Sequence, residues 1–264
     1  MSKISNYQSR SPDAFGTIQY SDSEHEMWHE LISRQLPVLP GQVCDEYISA
    51  LAKMDFPRDR IPQLHEVSSV LKAHTGWSVA PVPALIDFTR FFALLADKQF
   101  PAATFIRRRE DRDYLPEPDI FHEIFGHTPL LTDDRFAAFA QAYGKAGLRA
   151  DKRDHAMLAR LFWFTVEFGL INTPEGLRSY GAGIVSSPGE LEFALHSDEP
   201  QRLPFDPLEA LRTPYRIDIF QTVYYVIDNY DTLYELAQQD LIPLIAQARQ
   251  MGMRPPTFPL KEIA

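Results

Sequence analysis

Two histidines five residues apart restrict the backbone more tightly than any other feature of this chain. They lie in Pro116-Glu117-Pro118-Asp119-Ile120-Phe121-His122-Glu123-Ile124-Phe125-Gly126-His127. On an ideal α-helix, residues five apart sit about 140° from each other around the axis. His122 and His127 therefore reach one ion only if the helix ends or distorts between them. Gly126 leaves helical geometry cheaply, so the expectation is one histidine on a helix and the other just past its end. The spacing differs from that of zinc proteases, whose histidines stand at i and i+4 with a glutamate between them. Two histidines in one short window are also common as plain polar residues of a half-buried helix, so a metal reading needs a third ligand.

Glu167 is the candidate. It lies in Leu161-Phe162-Trp163-Phe164-Thr165-Val166-Glu167-Phe168-Gly169-Leu170, the most apolar run in the chain. An isolated carboxylate there is destabilised by several kcal/mol unless it is paired, protonated or coordinated. A salt bridge is the alternative, but no basic residue lies within the four positions that follow. His122, His127 and Glu167 would make a two-histidine, one-carboxylate set that leaves one face of the ion open, the arrangement of non-haem Fe(II) oxygen chemistry.

Four segments carry a resemblance. Residues 114–123, Gly126-His127, Trp163-Phe164-Thr165-Val166-Glu167-Phe168-Gly169-Leu170 and Tyr180-Gly181-Ala182-Gly183-Ile184-Val185-Ser186-Ser187 look like the pterin-dependent aromatic amino acid hydroxylases, and within them the short bacterial phenylalanine 4-hydroxylases. The likeness runs over residues 20–235. It implies a mainly α fold with a small β component, forming a single catalytic domain over residues 21–264; residues 1–20 are polar and are expected to be a flexible stretch before it. It also implies a monooxygenase that converts L-phenylalanine to L-tyrosine with O2 and a tetrahydropterin, tetrahydrobiopterin or a related one, at Fe(II).

Carried over residue by residue, the resemblance makes His122, His127 and Glu167 the metal ligands. It gives Val82, Ala84, Ile86, Phe91, Glu123 and Ala159 to the pterin. Arg107 would grip the substrate's α-carboxylate, for which a guanidinium fork is suited and a lysine is not, with Asp119 holding that fork from behind. Tyr114, Leu115, Pro118, Trp163, Phe168, Gly183, Ser186 and Glu190 would line the substrate site. Trp163 matches the phenylalanine and tyrosine enzymes, and Ile217 stands in a loop where tyrosine hydroxylases carry an aspartate, so phenylalanine is the expected substrate. The sequence departs from animal relatives at Phe162, where they have tyrosine, and at Leu115, where they have threonine. It has no room for their regulatory domain or tetramerisation helix, so a monomer or homodimer is expected.

Alternatives remain at this point: a tyrosine or tryptophan hydroxylase of the same family, a zinc metallohydrolase with Glu123 as base, or a non-catalytic metal or amino acid binding protein. A net charge of −10 over 264 residues disfavours nucleic acid and anionic membranes. Cys44, the single cysteine, precludes an internal disulfide and suits a reducing cytoplasm. Residues 1–5 show no signal-peptide pattern, and no apolar run reaches the ~20 residues of a membrane span.

Periodicity predicts helices over 22–36, 42–54, 62–75, 87–97, 133–147, 151–170 and 229–250, the last interrupted near Pro243. Residues 77–86 read as extended and proline-broken at first, 220–227 as a short apolar element, 177–186 as a small hairpin and 204–216 as a proline-rich loop. His25, His29, His65 and His74 read as ordinary helix residues.

Overall fold

The computed structural model describes residues 7–83 and 86–259. Helix α1 (Asp22–Gln35) begins where the Glu24 carboxylate accepts the Ser21 N–H at 2.7 Å, and it buries Met27, Trp28, Leu31 and Ile32. Helix α2 (Asp45–Met54) starts three residues later than its periodicity predicts. The residues before it are drawn into strand-like pairing: Ser179 N–H donates to the Gln42 carbonyl at 2.9 Å, and Cys44 N–H to the Ser179 carbonyl at 3.0 Å. Helix α3 (Leu64–His74) follows Pro62, capped where Glu66 accepts the Gln63 N–H at 2.7 Å.

The proline-broken stretch after α3 is strand β1 (Ser78–Val82). Helix α4 (Phe88–Ala96), capped by Asp87, then crosses over to strand β2 (Gln99–Ala103), which runs parallel to β1. Helix α5 (Asp134–Arg149) buries Phe136, Phe139, Ala140 and Tyr143, as its period predicts.

The apolar run predicted as one helix over 151–170 divides into four pieces. A 3₁₀ turn (Lys152–Asp154) leads into helix α6 (His155–Phe162), then a π-helical turn (Trp163–Glu167), then strand β3 (Gly169–Thr173). Buried strands and buried helices both read as unbroken apolar sequence, so periodicity cannot divide them. Strand β3 pairs antiparallel with β4 (Gly176–Ser179) and parallel with β6 (Val223–Ile227), which in turn pairs with β5 (Gln201–Pro204).

Beyond that hairpin, residues predicted as β are helical: α7 (Ala182–Val185), followed by α8 (Pro188–His196). The predicted loop over 204–216 contains helix α9 (Pro207–Arg212), with Asp206 as cap and proline at the first helical position, where no N–H bond is lost. The C-terminal helix is two, α10 (Asp231–Ala237) and α11 (Leu241–Met251). The break precedes Pro243, which sits harmlessly in the first turn of α11.

The N-terminal stretch from Tyr7 to Tyr20 has no helix or strand, yet it is tied down rather than frayed. Tyr7 stacks on Phe105 at 4.9 Å, Arg10 N–H donates to Thr104 Oγ1 at 2.7 Å, and the Arg10 fork meets Glu24 at 2.6 and 2.9 Å. One hydrophobic core runs through the helices and the larger sheet. Cys44 lies inside it, 3.3 Å from the Tyr230 hydroxyl. No described helix is long and apolar enough to cross a membrane.

Candidate active site

The backbone between the two histidines neither ends nor breaks. Residues His122–His127 form a π-helical turn, and Trp163–Glu167 form a second. Bonding from i to i+5 returns the fifth residue close to the face of the first. One turn therefore brings His122 to His127, with ring centroids 4.8 Å apart, and the other brings Trp163 to Phe168, at 4.6 Å. In the second turn Phe168 N–H donates to the Trp163 carbonyl at 2.8 Å.

Hydroxyl groups hold the widened geometry. Tyr47 of α2 donates to the Phe125 carbonyl at 2.5 Å, Thr128 to Ile124 at 2.7 Å and Thr165 to Leu161 at 2.6 Å. A hydroxyl on the carbonyl four residues back competes with the α-ladder and lets the turn expand. Gly126 is required for a different reason than its backbone freedom: a Cβ there would lie 2.9 Å from the Ala182 carbonyl of α7.

The three predicted ligands converge. His127 Nε2 stands 3.0 Å from a Glu167 oxygen and 3.1 Å from His122 Nε2, and the other Glu167 oxygen is 3.5 Å from His122 Nε2. Atoms so rich in electrons repel at that distance unless a proton or metal cation sits among them. An ion about 2.1 Å from each donor gives a spacing of about 3 Å, so the set fits a metal.

The support behind His122 fixes its tautomer. Ser186 gives its single hydroxyl hydrogen to the Ala182 carbonyl at 2.7 Å, so His122 Nδ1, 3.0 Å away, donates to Ser186 Oγ and leaves Nε2 as a free lone pair. Burial, against the attraction of Glu167, pushes His122 down to about 4, so the ring is neutral at pH 7. Burial also opposes ionisation of Glu167, but the pull of His127 and then His122 outweighs it, and the carboxyl is held below its ordinary range. Neutral imidazoles and an ionised carboxylate are the ligating forms.

Glu123 brings a carboxylate oxygen within 4.8 Å of the same histidine atoms and is a rival third ligand on distance. Glu167 is the better one. Its oxygens lie closer, whereas burial and repulsion from Glu167 and Asp119 push Glu123 well above the carboxylate range.

The triad lies beside a cavity of about 530 Å³ that His122 and Glu167 help to line. All nine residues predicted for the substrate line it: Arg107, Tyr114, Leu115, Pro118, Trp163, Phe168, Gly183, Ser186 and Glu190. Arg107 is fixed by Asp119, which accepts its Nε at 2.8 Å, its Nη2 at 2.9 Å and its main-chain N–H at 2.9 Å. Asp119 also accepts the His122 N–H at 3.1 Å, which ties Arg107 to the turn that carries the two histidines. Gly183 leaves room for Phe168, whose Cζ would lie 2.6 Å from a Cβ at that position. A larger cleft of about 1200 Å³ beside the N-terminal stretch contains none of the triad.

The predicted pterin residues lie elsewhere. Val82 ends β1, Phe91 is on α4 and Ala159 on α6, and Ile86 is half-buried, while Ala84 falls outside the described residues. None of the described ones lines the 530 Å³ cavity. Phe91 meets Phe162 edge-on at 5.2 Å and Phe162 leans on His127 at 6.1 Å, so an aromatic shelf reaches the metal ligands from α4.

The sequence profile described as biopterin-dependent aromatic amino acid hydroxylase matches residues 2–243. The chain belongs to this family. A phenylalanine-4-hydroxylase of Pseudomonas aeruginosa is 53% identical over 262 residues, covering 99% of this chain and 100% of its own. The apo structure of the cold-active phenylalanine hydroxylase of Colwellia psychrerythraea superimposes with a TM-score of 0.93 at 53% identity, over 95% of this chain and 97% of that one. A Chromobacterium violaceum phenylalanine hydroxylase with bound oxidised Fe(III) gives a TM-score of 0.87 at 43% identity, over 92% of this chain and 91% of that one.

Two residues of this hydroxylase site escaped the sequence reading. Tyr215 stacks on Trp163 at 4.1 Å, and Gln221, 4% exposed, accepts the Trp163 indole N–H at 2.9 Å. Tyr215 lies in the proline-rich stretch and Gln221 shortly after it, in positions without periodicity.

Proposed function

We propose that the protein is a phenylalanine 4-monooxygenase that converts L-phenylalanine to L-tyrosine, with Fe(II) held by His122, His127 and Glu167. The observation that carries this reading is the opening of that triad onto the cavity that also holds Arg107. Iron and a tetrahydropterin, when bound, supply the activation of O2 and the two electrons that the reaction consumes.

The chain's own residues bind and orient the substrate. Asp119 turns the Arg107 fork so that its remaining N–H groups meet the substrate α-carboxylate. Pro118, Trp163 and Phe168 wall the phenyl ring and keep water from its reacting edge. Ser186 keeps the His122 lone pair directed at the metal. Phe91, with Ala159, Val82, Ala84 and Ile86, offers the pterin ring an aromatic face and apolar sides. Glu123, whose carboxyl burial pushes well above the ordinary carboxylate range, would hold a pterin amide by a hydrogen bond. The enzyme acts in the cytoplasm as a monomer or homodimer.

Metal exchange tests the reading. Stripped protein reloaded with Fe(II) is expected to form tyrosine from phenylalanine only with both O2 and a tetrahydropterin, and zinc-loaded protein to form none. Ester or amide hydrolysis by the zinc form, without iron-dependent hydroxylation, would establish the metallohydrolase instead.

A further inference from the structure

We propose that Gln221 sets which aromatic side chain the site accepts, by locking the Trp163 wall and the 216–219 lip of the cavity with one buried amide. The inference rests on the hydroxylase reading above. Gln221 precedes β6 and uses its whole amide. Its Oε1 accepts the Trp163 indole N–H at 2.9 Å, and its Nε2 donates to the Arg216 carbonyl at 2.9 Å and the Ile219 carbonyl at 3.2 Å. Its main-chain N–H donates to Glu190 Oε1 at 3.1 Å, and Glu190 also accepts the Tyr224 hydroxyl at 2.5 Å.

The indole needs such a lock. Trp163 lies flat on Tyr215 at 4.1 Å and 13°, and against Phe168 at 4.6 Å. Stacking buries the ring face but makes no bond to the indole edge, so the bond from the indole N–H to Gln221 fixes how far the ring projects into the cavity. The lip is tied from both sides. Gln221 holds the carbonyls of Arg216 and Ile219, and the Tyr114 hydroxyl donates to the Ile217 carbonyl between them at 2.9 Å. Both of these parts of the ring pocket therefore share one anchor. Gln221 is a positioning residue: it acts through Trp163 and the lip.

The test is a cycle of Q221L, Q221E, W163F and W163F/Q221L in iron-loaded protein. It reads kcat and KM for phenylalanine and for tryptophan separately, with phenylalanine binding by calorimetry and Tm as the fold control. Q221L is expected to lose ten- to a hundredfold in kcat/KM for phenylalanine, on the order of what a small misplacement of a positioning group removes. It should lose less for tryptophan, so the phenylalanine-to-tryptophan preference narrows several-fold. Q221E keeps an oxygen for the indole and should retain more of that preference than Q221L. In W163F the leucine should narrow the preference less than it does in wild type, because the indole partner is gone and only the hold on the lip remains.

An unchanged preference in folded Q221L overturns the proposal, as do losses in W163F and Q221L that simply multiply. If Q221L does not fold, Q221E with W163F/Q221E completes the same cycle. Wild-type protein that hydroxylates nothing defeats the functional reading alone, since calorimetry still reports whether Gln221 shapes the phenylalanine site.

Discussion

Asp119→Ala is the most informative single change outside the metal ligands. The Asp119 side chain is fully buried and that of Arg107 is 11% exposed. Removing the carboxylate strands a buried guanidinium that now makes two bonds to it, and it also releases the Arg107 and His122 main-chain N–H groups. Breaking a buried ion pair from one side is destabilising by about 3–5 kcal/mol. Unfolding entropy of about 2.1 cal/mol/K per residue over 264 residues is about 0.55 kcal/mol/K, so Tm is expected to fall by about 5–9 °C. Removing both charges, as Arg107→Met with Asp119→Leu, eliminates the stranded ion and should recover most of that loss. Activity should not return with it, because no fork remains for the substrate carboxylate.

The pH dependence has a definite sign. Burial opposes ionisation of Asp119, but Arg107 overcomes it and holds the carboxyl below its ordinary value. The stabilisation is thus fully present above the unfolded value of about 3.9 and is lost as pH falls through the folded one. The gap between wild type and Asp119→Ala should shrink in acid. Calorimetric melts of wild type and the two variants, with KM for phenylalanine, measure all of this. A single variant melting within about 1 °C of wild type, or a double variant no more stable than the single, would refute the reasoning.

Other perturbations bear on separate parts of the site. Ser186→Ala removes the acceptor behind His122 Nδ1 and should weaken metal binding about ten- to a hundredfold, read by competition with a chelator; equal affinity would exclude a supporting role. Tyr47→Phe deletes the hydroxyl on the Phe125 carbonyl and should loosen His127 and lower metal affinity, with a fold loss of about 1–3 kcal/mol; an unchanged melt would separate that bond from the widened turn. Burial raises Glu190 to about 7, with the hydrogen bonds from Tyr224 and Gln221 working against it. A raised carboxyl makes the fold lose stability as pH climbs from about 4.3 to 7. Glu190→Gln should therefore gain on wild type across that window, by at most about 3–4 kcal/mol, and level off above it; a difference that does not vary with pH contradicts this.

The parts of the molecule that sequence made legible are those set by local chemistry. The stripes of α1 and α5, the Asp87 cap of α4 and the isolated Glu167 each announce themselves within a few residues. The π-turns do not, because what widens them is partly tertiary: the Tyr47 hydroxyl reaches Phe125 from 78 positions away. The five-residue spacing did signal that an α-helix could not persist, and only the form of the distortion was hidden. The end of α6 was overrun because residues 161–170 are apolar whether helical, π-helical or extended. Helix α9 was readable in retrospect from Asp206 followed by Pro207, a cap and a first-position proline. Gln221 carries no pattern at all, since its neighbours Phe220 and Thr222 give a polar amide no context.

On the proposed reading His122, His127 and Glu167, and not Glu123, bind the catalytic iron. Metal content after anaerobic Fe(II) loading, compared across wild type, His122→Ala, His127→Ala, Glu167→Ala and Glu123→Gln, tests it most directly. Wild type and Glu123→Gln are expected to hold a single Fe(II) per chain and the other three almost none, with all five folded. Iron retained by Glu167→Ala and lost from Glu123→Gln would contradict it.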